Sequence, residues 1–254
     1  MKYFNTAGPV NCKDHYCLPP LSRFHLPEIL GLISQKKYFV LHAPRQSGKT
    51  SCLLALEDYL NASGSHKSLY INVESAKAAR NNVEKGIFAI ITEIERRIEL
   101  SGLGLDSQRI VKDLFDPHLS LSALNSALTR LAESSPLPFV LLIDEIDALV
   151  GDTLISVLRQ IRSGYDTRPD HFPSTVILCG VRDVRDYRIQ SDTEQMIITG
   201  GSAFNIKAES FGILPAGSPG LLMPWHMRPV LNWSLEKTQI IPLRTAWLNR
   251  QKRT

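Results

Sequence analysis

Long apolar runs are missing from this chain. No stretch approaches the roughly 18 consecutive apolar residues of a membrane-crossing helix, so no membrane partner is expected. The opening MKYFNTAGPVNCKDHYC contains no unbroken apolar segment of the kind a secretory signal carries, which predicts a cytoplasmic protein. Cysteine is scarce as well. Cys12, Cys17, Cys52 and Cys179 are scattered, a pattern of reduced thiols rather than of a disulfide framework. Cys12, His15 and Cys17 lie close together but lack a second ligand pair at zinc spacing, which favours a plain loop over a metal site. Acidic residues are nearly absent from one region only. Residues 213–254 hold six Lys/Arg and one acid, against 23 Lys/Arg and 24 Asp/Glu in residues 1–212. The net charge of +4 therefore belongs to the tail, and the body shows no nucleic-acid face.

Within these exclusions, 254 residues that are 43% hydrophobic can bury a sizeable core. They allow one domain of about 200 residues with an appendage, or two small domains. The stretch Tyr38–Thr50, YFVLHAPRQSGKT, is the centre of the pattern. An apolar run ends at His42 and Ala43, a turn-forming segment follows (Pro44, Arg45, Gln46, Ser47, Gly48), and Lys49 and Thr50 open a helical period. A strand, a loop and a helix in that order form a phosphate cradle. Loop N–H groups converge, the helix N-terminus adds its positive end, and Lys49 supplies a mobile cation. The full spacing is G-x-x-x-x-G-K-[ST], with Ala43 at the first position here. Residues Ala43 to Ser51 (Ala43, Pro44, Arg45, Gln46, Ser47, Gly48, Lys49, Thr50, Ser51) are the expected nucleotide contacts. A Gly-Lys-Thr met by chance on a surface turn is the competing explanation. The strand-like run before it and the helix-like run after it (Leu53, Leu54, Leu56, Leu60) argue against chance.

Along the chain, residues 1–37 read as an N-terminal arm and a helix. Residues 38–210 alternate strands with helical stretches, and residues 211–254 form a basic tail rich in Pro and Trp. Ser68–Val73, Phe139–Ile143, Thr175–Leu178 and, more weakly, Ala203–Ile206 are strand candidates after the first. Val83, Ile87, Ile90, Ile91, Ile94 and Ile98 recur at helical spacing, with Glu93, Glu95, Arg96 and Arg97 on a solvated face. Ser101–Asp116 begins as a loop. Leu121, Leu124, Leu128 and Leu131 give another helix with Ser120 as its N-cap. Residues 153–161 are helical. Such alternation predicts a doubly wound, three-layer α/β/α domain whose ligands bind at the C-terminal strand ends.

Asp144 and Glu145 follow the apolar run Phe139–Ile143, on the next-but-one strand after Thr50. Phosphoryl transfer needs a strand-end carboxylate for the magnesium shell. Asp144 and the Thr50 hydroxyl fit that need, Lys49 fits the β/γ-phosphates, and Glu145 fits the attacking water. A pair of surface acids capping a strand is the bland alternative, and the join with the loop at residues 43–50 disfavours it. ATP and Mg2+ are the expected cofactors.

PRQSGKTS together with VLLIDEIDAL resembles the AAA-type ATPases of the P-loop superfamily, with IDEID similar to their origin-recognition and STAND-like relatives. FNTAGP…HYCLPP and LCGVRDVRDYRI…GGSAFNIKAES extend the resemblance to bacterial AAA-type ATP-binding proteins over residues 1 to about 210. The resemblance implies a five-stranded parallel sheet in the order 5-1-4-3-2, with a helical lid after the last strand. It places the arm around His15 and Tyr16 near the adenine. It also implies an arginine finger from a neighbouring subunit. Arg159, Arg162 and Arg168 are candidates with nothing to choose among them, and solvation as surface cations is the preferred reading of each. A polar sensor at the end of the fourth strand falls on Arg182, with ion pairing among Arg182, Arg185, Arg188, Asp183 and Asp186 as an equal competitor. The lid is not found in the sequence. Pro215, Pro219, Pro224 and Pro229 break any helical period, so the lid is missing or replaced. A change of reading frame near Phe211 is the preferred explanation, and a genuine partner-binding tail the other.

ATP hydrolysis driving a conformational switch is the leading function, and a nucleotide-dependent scaffold or signalling switch with little turnover is the alternative. A homo-oligomer or a protein client is the expected partner. A P-loop kinase for a small metabolite would want substrate-binding arginines rather than two adjacent strand-end acids.

Overall fold

The computed structural model describes residues 2–4, 11, 13–17, 19–23, 25–111, 122–181 and 226–229. Four parallel strands form the sheet: β1 (Phe39–His42), β2 (Lys67–Asn72), β3 (Phe139–Asp144) and β4 (Thr175–Gly180). The helices are α1 (Leu26–Ser34), α2 (Lys49–Ser63), α3 (Val83–Ser101), α4 (Ser107–Val111), α5 (Ala123–Ser134) and α6 (Gly151–Ser163). A short β5 (His226–Pro229) completes the sheet, in the order β2-β3-β4-β1-β5.

The expectation of five parallel strands in the order 5-1-4-3-2 is corrected at the outer edge. The parallel sheet has four strands, and the one beside β1 is antiparallel. It comes from the stretch read as an irregular tail, whereas Ala203–Ile206 lies outside the described residues. A sheet edge leaves N–H and C=O groups to be paired, and an edge strand tolerates proline. Pro229 accordingly sits opposite Phe39 at the end of β5.

Strand alternation sends side chains into two layers. Phe39, Leu41, Tyr70, Val140, Leu142, Ile177 and Cys179 pack with α1 and α2. Val40, Leu69, Ile71, Leu141, Ile143, Val176 and Leu178 pack with α3, α5 and α6. Every residue of β3 is buried, as a strand covered on both faces requires. The isoleucine stripe of α3 is buried as its period predicts, and Asn82 caps the helix by accepting from the Lys85 N–H at 3.0 Å.

Two boundaries differ from the sequence reading. Ser122 stands at the N-terminus of α5, while Ser120 lies outside the described residues. The stretch read as a loop from Ser101 holds the end of α3 and all of α4. Ile110, fully buried, ties α4 down, and a single apolar anchor is too little for a periodicity argument to find. Cys52 and Cys179 are free and buried, but Cys17 is disulfide-bonded, so the expectation of four reduced thiols fails there. Among the described residues no helix is long and apolar enough to cross a membrane.

The outer edge of β2 is closed by α2. The Asn61 side chain accepts from the Ser68 N–H at 2.8 Å and donates to the Ser68 carbonyl at 3.0 Å. Glu57 Oε1 accepts from the Tyr70 N–H at 2.8 Å. Side chains of one helix thus stand in for a missing strand.

Candidate functional site

The loop after β1 and the start of α2 form one wall of the site. Gly48 precedes α2 with φ 82° and ψ 22°, a left-handed conformation that glycine adopts without steric cost. Gln46 has φ 59°, so the loop holds two left-handed residues. The Ser47 hydroxyl closes it by donating to the Pro44 carbonyl at 2.8 Å. No acid stands in the first turn of α2, so the positive end of this 15-residue helix is uncompensated and suited to an anion.

Lys49 is buried, and its Nζ donates to the Ala43 and Pro44 carbonyls at 2.9 and 3.0 Å. The lysine charge is therefore held by backbone dipoles of the loop rather than by a carboxylate. An anion entering the loop meets a cation already aimed at its backbone.

β3 supplies the opposite wall. Asp144 is fully buried, and three hydrogen-bond donors meet its carboxylate. Oδ2 accepts from Thr50 Oγ1 at 2.7 Å and from the Tyr70 hydroxyl at 3.0 Å. Oδ1 accepts from the Glu145 N–H at 2.9 Å. The Cys179 thiol also lies against this carboxylate. Burial first, then the Asp144 charge, pushes its pKa well up, so the thiol stays protonated.

Glu145 has φ 56°, a strained value for a non-glycine residue. The turn leads from the strand into the short helix Ile146–Ala148 and leaves Glu145 half-buried beside Asp144. Burial raises the Glu145 pKa most, then the Asp144 and Asp147 charges, with Lys49 opposing and Glu74 adding to the rise. Asp147 Oδ1 is buried without a hydrogen-bond partner. A Cβ at Gly180 would stand 3.0 Å from it, so a side chain there would press on the Asp147 carboxylate.

A family model described as an AAA domain matches residues 32–187. The chain belongs to that family. The match spans the cradle, both strand-end acids and all four parallel strands of this AAA domain. Among solved structures, the chain is similar to Cdc6p from Pyrobaculum aerophilum, with 20% identity and a TM-score of 0.40 over 66% of this chain and 41% of that one. The chain thus spans under half the length of that protein. Comparison with curated proteins gives no match.

The structure brings together Ala43 to Ser51, Asp144 and Glu145 at the C-terminal edge of the sheet. It does not bring Arg168 there. That side chain donates to the carbonyls of Tyr165 at 2.7 Å, Ser174 at 3.2 Å and Lys36, and it stacks on the Tyr165 and Tyr38 rings. Lys36 and Ser174 precede β1 and β4, so within its own chain Arg168 clamps the opposite edge of the sheet. Arg159 is exposed on α6 and Arg162 half-buried. Arg182, the expected sensor, lies outside the described residues with Arg185 and Arg188. His15 stacks edge-on against Tyr3 at 4.8 Å, and Tyr16 lies beside Phe4 at 5.0 Å.

Tyr70 and Cys179 join the site without having been singled out. Tyr70 pairs with Leu142 in the parallel register, two residues before Asn72 pairs with Asp144. Tyr70 and Asp144 therefore share a face. Strand parity is the signal that could have found the tyrosine, once β2 and β3 are known to be neighbours.

Proposed function

We propose that this AAA domain binds ATP with Mg2+ and hydrolyses the terminal phosphate, using the cycle to switch conformation. The observation that supports this most is the hydrogen bond from Thr50 to Asp144, which joins residues 94 apart in sequence. It sets the hydroxyl that opens the cradle helix against the strand-end carboxylate, the two groups that a phosphate-bound magnesium ion takes from a P-loop protein.

The donor set fits the ion. Among the described residues no cluster of three or more His, Cys, Asp or Glu is present. Magnesium keeps several waters and takes one or two carboxylates with substrate phosphates, so a hydroxyl and one carboxylate suffice. When bound, the ion supplies charge neutralisation at the transferring phosphoryl group. Thr50 and Asp144 would hold it. Lys49 would exchange its two carbonyls for phosphate oxygens, and the loop from Ala43 to Ser51 would present its N–H groups. Glu145, whose pKa burial and neighbouring acids raise, is placed to orient and deprotonate water. Arg182 as a sensor and an arginine from a neighbouring subunit complete the reading.

Changing Glu145 to Gln tests it: turnover should be lost while labelled ATP still binds with Mg2+, and undiminished hydrolysis would remove Glu145 from its role. A second reading, a nucleotide-dependent switch with little turnover, is favoured by one observation. The stretch 213–254, where the resemblance expects a lid, carries five prolines. A single-turnover assay on purified protein separates the two.

A further inference from the structure

The reading of Asp144 as a magnesium-bearing carboxylate leaves one of its neighbours without a role. Tyr70 is 1% exposed and lies in the layer between the sheet and α2. A buried tyrosine in an apolar strand needs a partner for its hydroxyl, and any carbonyl would serve. Here the partner is the site carboxylate, with the hydroxyl donating to Asp144 Oδ2 at 3.0 Å.

The tyrosine is itself fixed on two sides. Its backbone N–H donates to Glu57 of α2 at 2.8 Å. Its ring carries the Arg97 guanidinium 4.5 Å from the centroid, and Arg97 is held by Glu93 at 3.0 Å. A cation over a phenol ring draws electron density from it and makes the hydroxyl a stronger donor.

Oδ2 has two hydroxyl donors, Thr50 and Tyr70, and they are not equivalent. Thr50 has a single proton to give, and its oxygen is the one wanted at the metal. Tyr70 comes from a different strand and lies in the buried layer. It is free of any such duty and can keep hold of Oδ2 when Thr50 turns away. The Glu145 N–H does the same for Oδ1 at 2.9 Å.

We propose that Tyr70 is a positioning residue, its hydroxyl holding the Asp144 carboxylate in the orientation that receives magnesium. The inference rests on the reading of Thr50 and Asp144 given above. It predicts a specific fault in Tyr70→Phe, which keeps the ring and its stacking and removes one oxygen. Partners of this kind, one step out from a metal ligand, typically change metal affinity by 10- to 100-fold. The expectation for Y70F is a loss of about tenfold in apparent Mg2+ affinity.

Binding of a fluorescent ATP analogue, titrated with MgCl2 and separately in EDTA, reads this without requiring turnover. The expected result is unchanged analogue affinity in EDTA and a Mg2+ midpoint raised about tenfold. An unchanged midpoint overturns the proposal. A Y70F protein whose affinity falls equally in EDTA, through misfolding or a general loosening, overturns it too, because the role is then structural. Asp144→Asn run alongside separates this inference from its foundation. If D144N keeps the full tightening by Mg2+, the assignment of Asp144 fails. If D144N loses it while Y70F does not, only the inference about Tyr70 fails.

Discussion

Replacing Arg168 by Ala separates a clamp from a catalytic arginine. The guanidinium reaches the segments that precede β1 and β4 and also holds the carbonyl of Tyr165. Its plane lies 3.4 Å from the Tyr165 centroid and 4.7 Å from that of Tyr38. Two of the three hydrogen bonds are half-buried and one is exposed. Each half-buried bond contributes about 1 kcal/mol net and the exposed one about half that, with about 0.5 to 1 kcal/mol from stacking at a partly wet site. The loss on truncation is therefore about 3 kcal/mol, or a fall of roughly 6–12 °C in melting temperature for a domain of this size. Arg168→Lys keeps the charge but not the planar fork, and should recover under half of the loss. Urea denaturation of ligand-free protein gives the free energy, and hydrolysis per folded molecule is measured in parallel. An unchanged stability together with lost hydrolysis would refute the clamp and favour Arg168 as a finger.

A Cβ on Gly164 would stand 2.2 Å from the fully buried Phe172 ring, so Gly164→Ala should cost about 1–3 kcal/mol in denaturant unfolding. Gly31, within α1 and with nothing inside 4 Å of its Cβ position, should give the opposite sign, Gly31→Ala gaining about 0.5–1 kcal/mol. Because the Glu145 pKa is raised in the fold, chiefly by burial, the folded state binds the more tightly held proton. Glu145 therefore subtracts from stability as pH rises through that pKa and is neutral below the ordinary glutamate range. Ligand-free E145Q should melt above wild type at neutral pH and equal it in acid. Asp147→Asn removes a charge that raises the same pKa, so the Glu145 carboxyl, followed by NMR, should titrate at lower pH in that variant.

The cradle and the strand-end acids were legible because phosphate chemistry demands fixed residue types at adjacent positions. Thr50 meets Asp144, and the charge of Lys49 acts on Glu145, at the strand edge where the pattern puts them. The parallel strands were legible for a related reason, since continuous apolar runs such as Phe139–Ile143 fit a strand covered on both faces. What escaped depends on neighbours across the sheet. Tyr70 reads as one more core residue of SLYINV until the register of β2 against β3 sets it on the face of Asp144. Arg168 reads as a surface cation until two aromatic rings and three carbonyls converge on it from other parts of the chain. β5 escaped because an edge strand needs so little sequence pattern, its partner being backbone rather than side chain.

Asp144 explains why these misses and successes meet in one place. A carboxylate with no exposed surface carries a large desolvation cost, and it persists only where donors replace its water shell. The donors here come from three separate pieces of chain: Thr50 on α2, Tyr70 on β2 and the N–H of Glu145 in its left-handed turn. Each of those pieces is anchored elsewhere. α2 is bound to the β2 edge through Asn61 and Glu57, and the turn continues into the short helix Ile146–Ala148 packed on β4. The groups that make the buried charge tolerable are thus the same groups that aim it. If Asp144 holds magnesium as proposed, a substitution among them alters fold stability and metal affinity together, and only a measurement that reads the two separately, as with Y70F in EDTA and in MgCl2, can tell which one the residue chiefly serves.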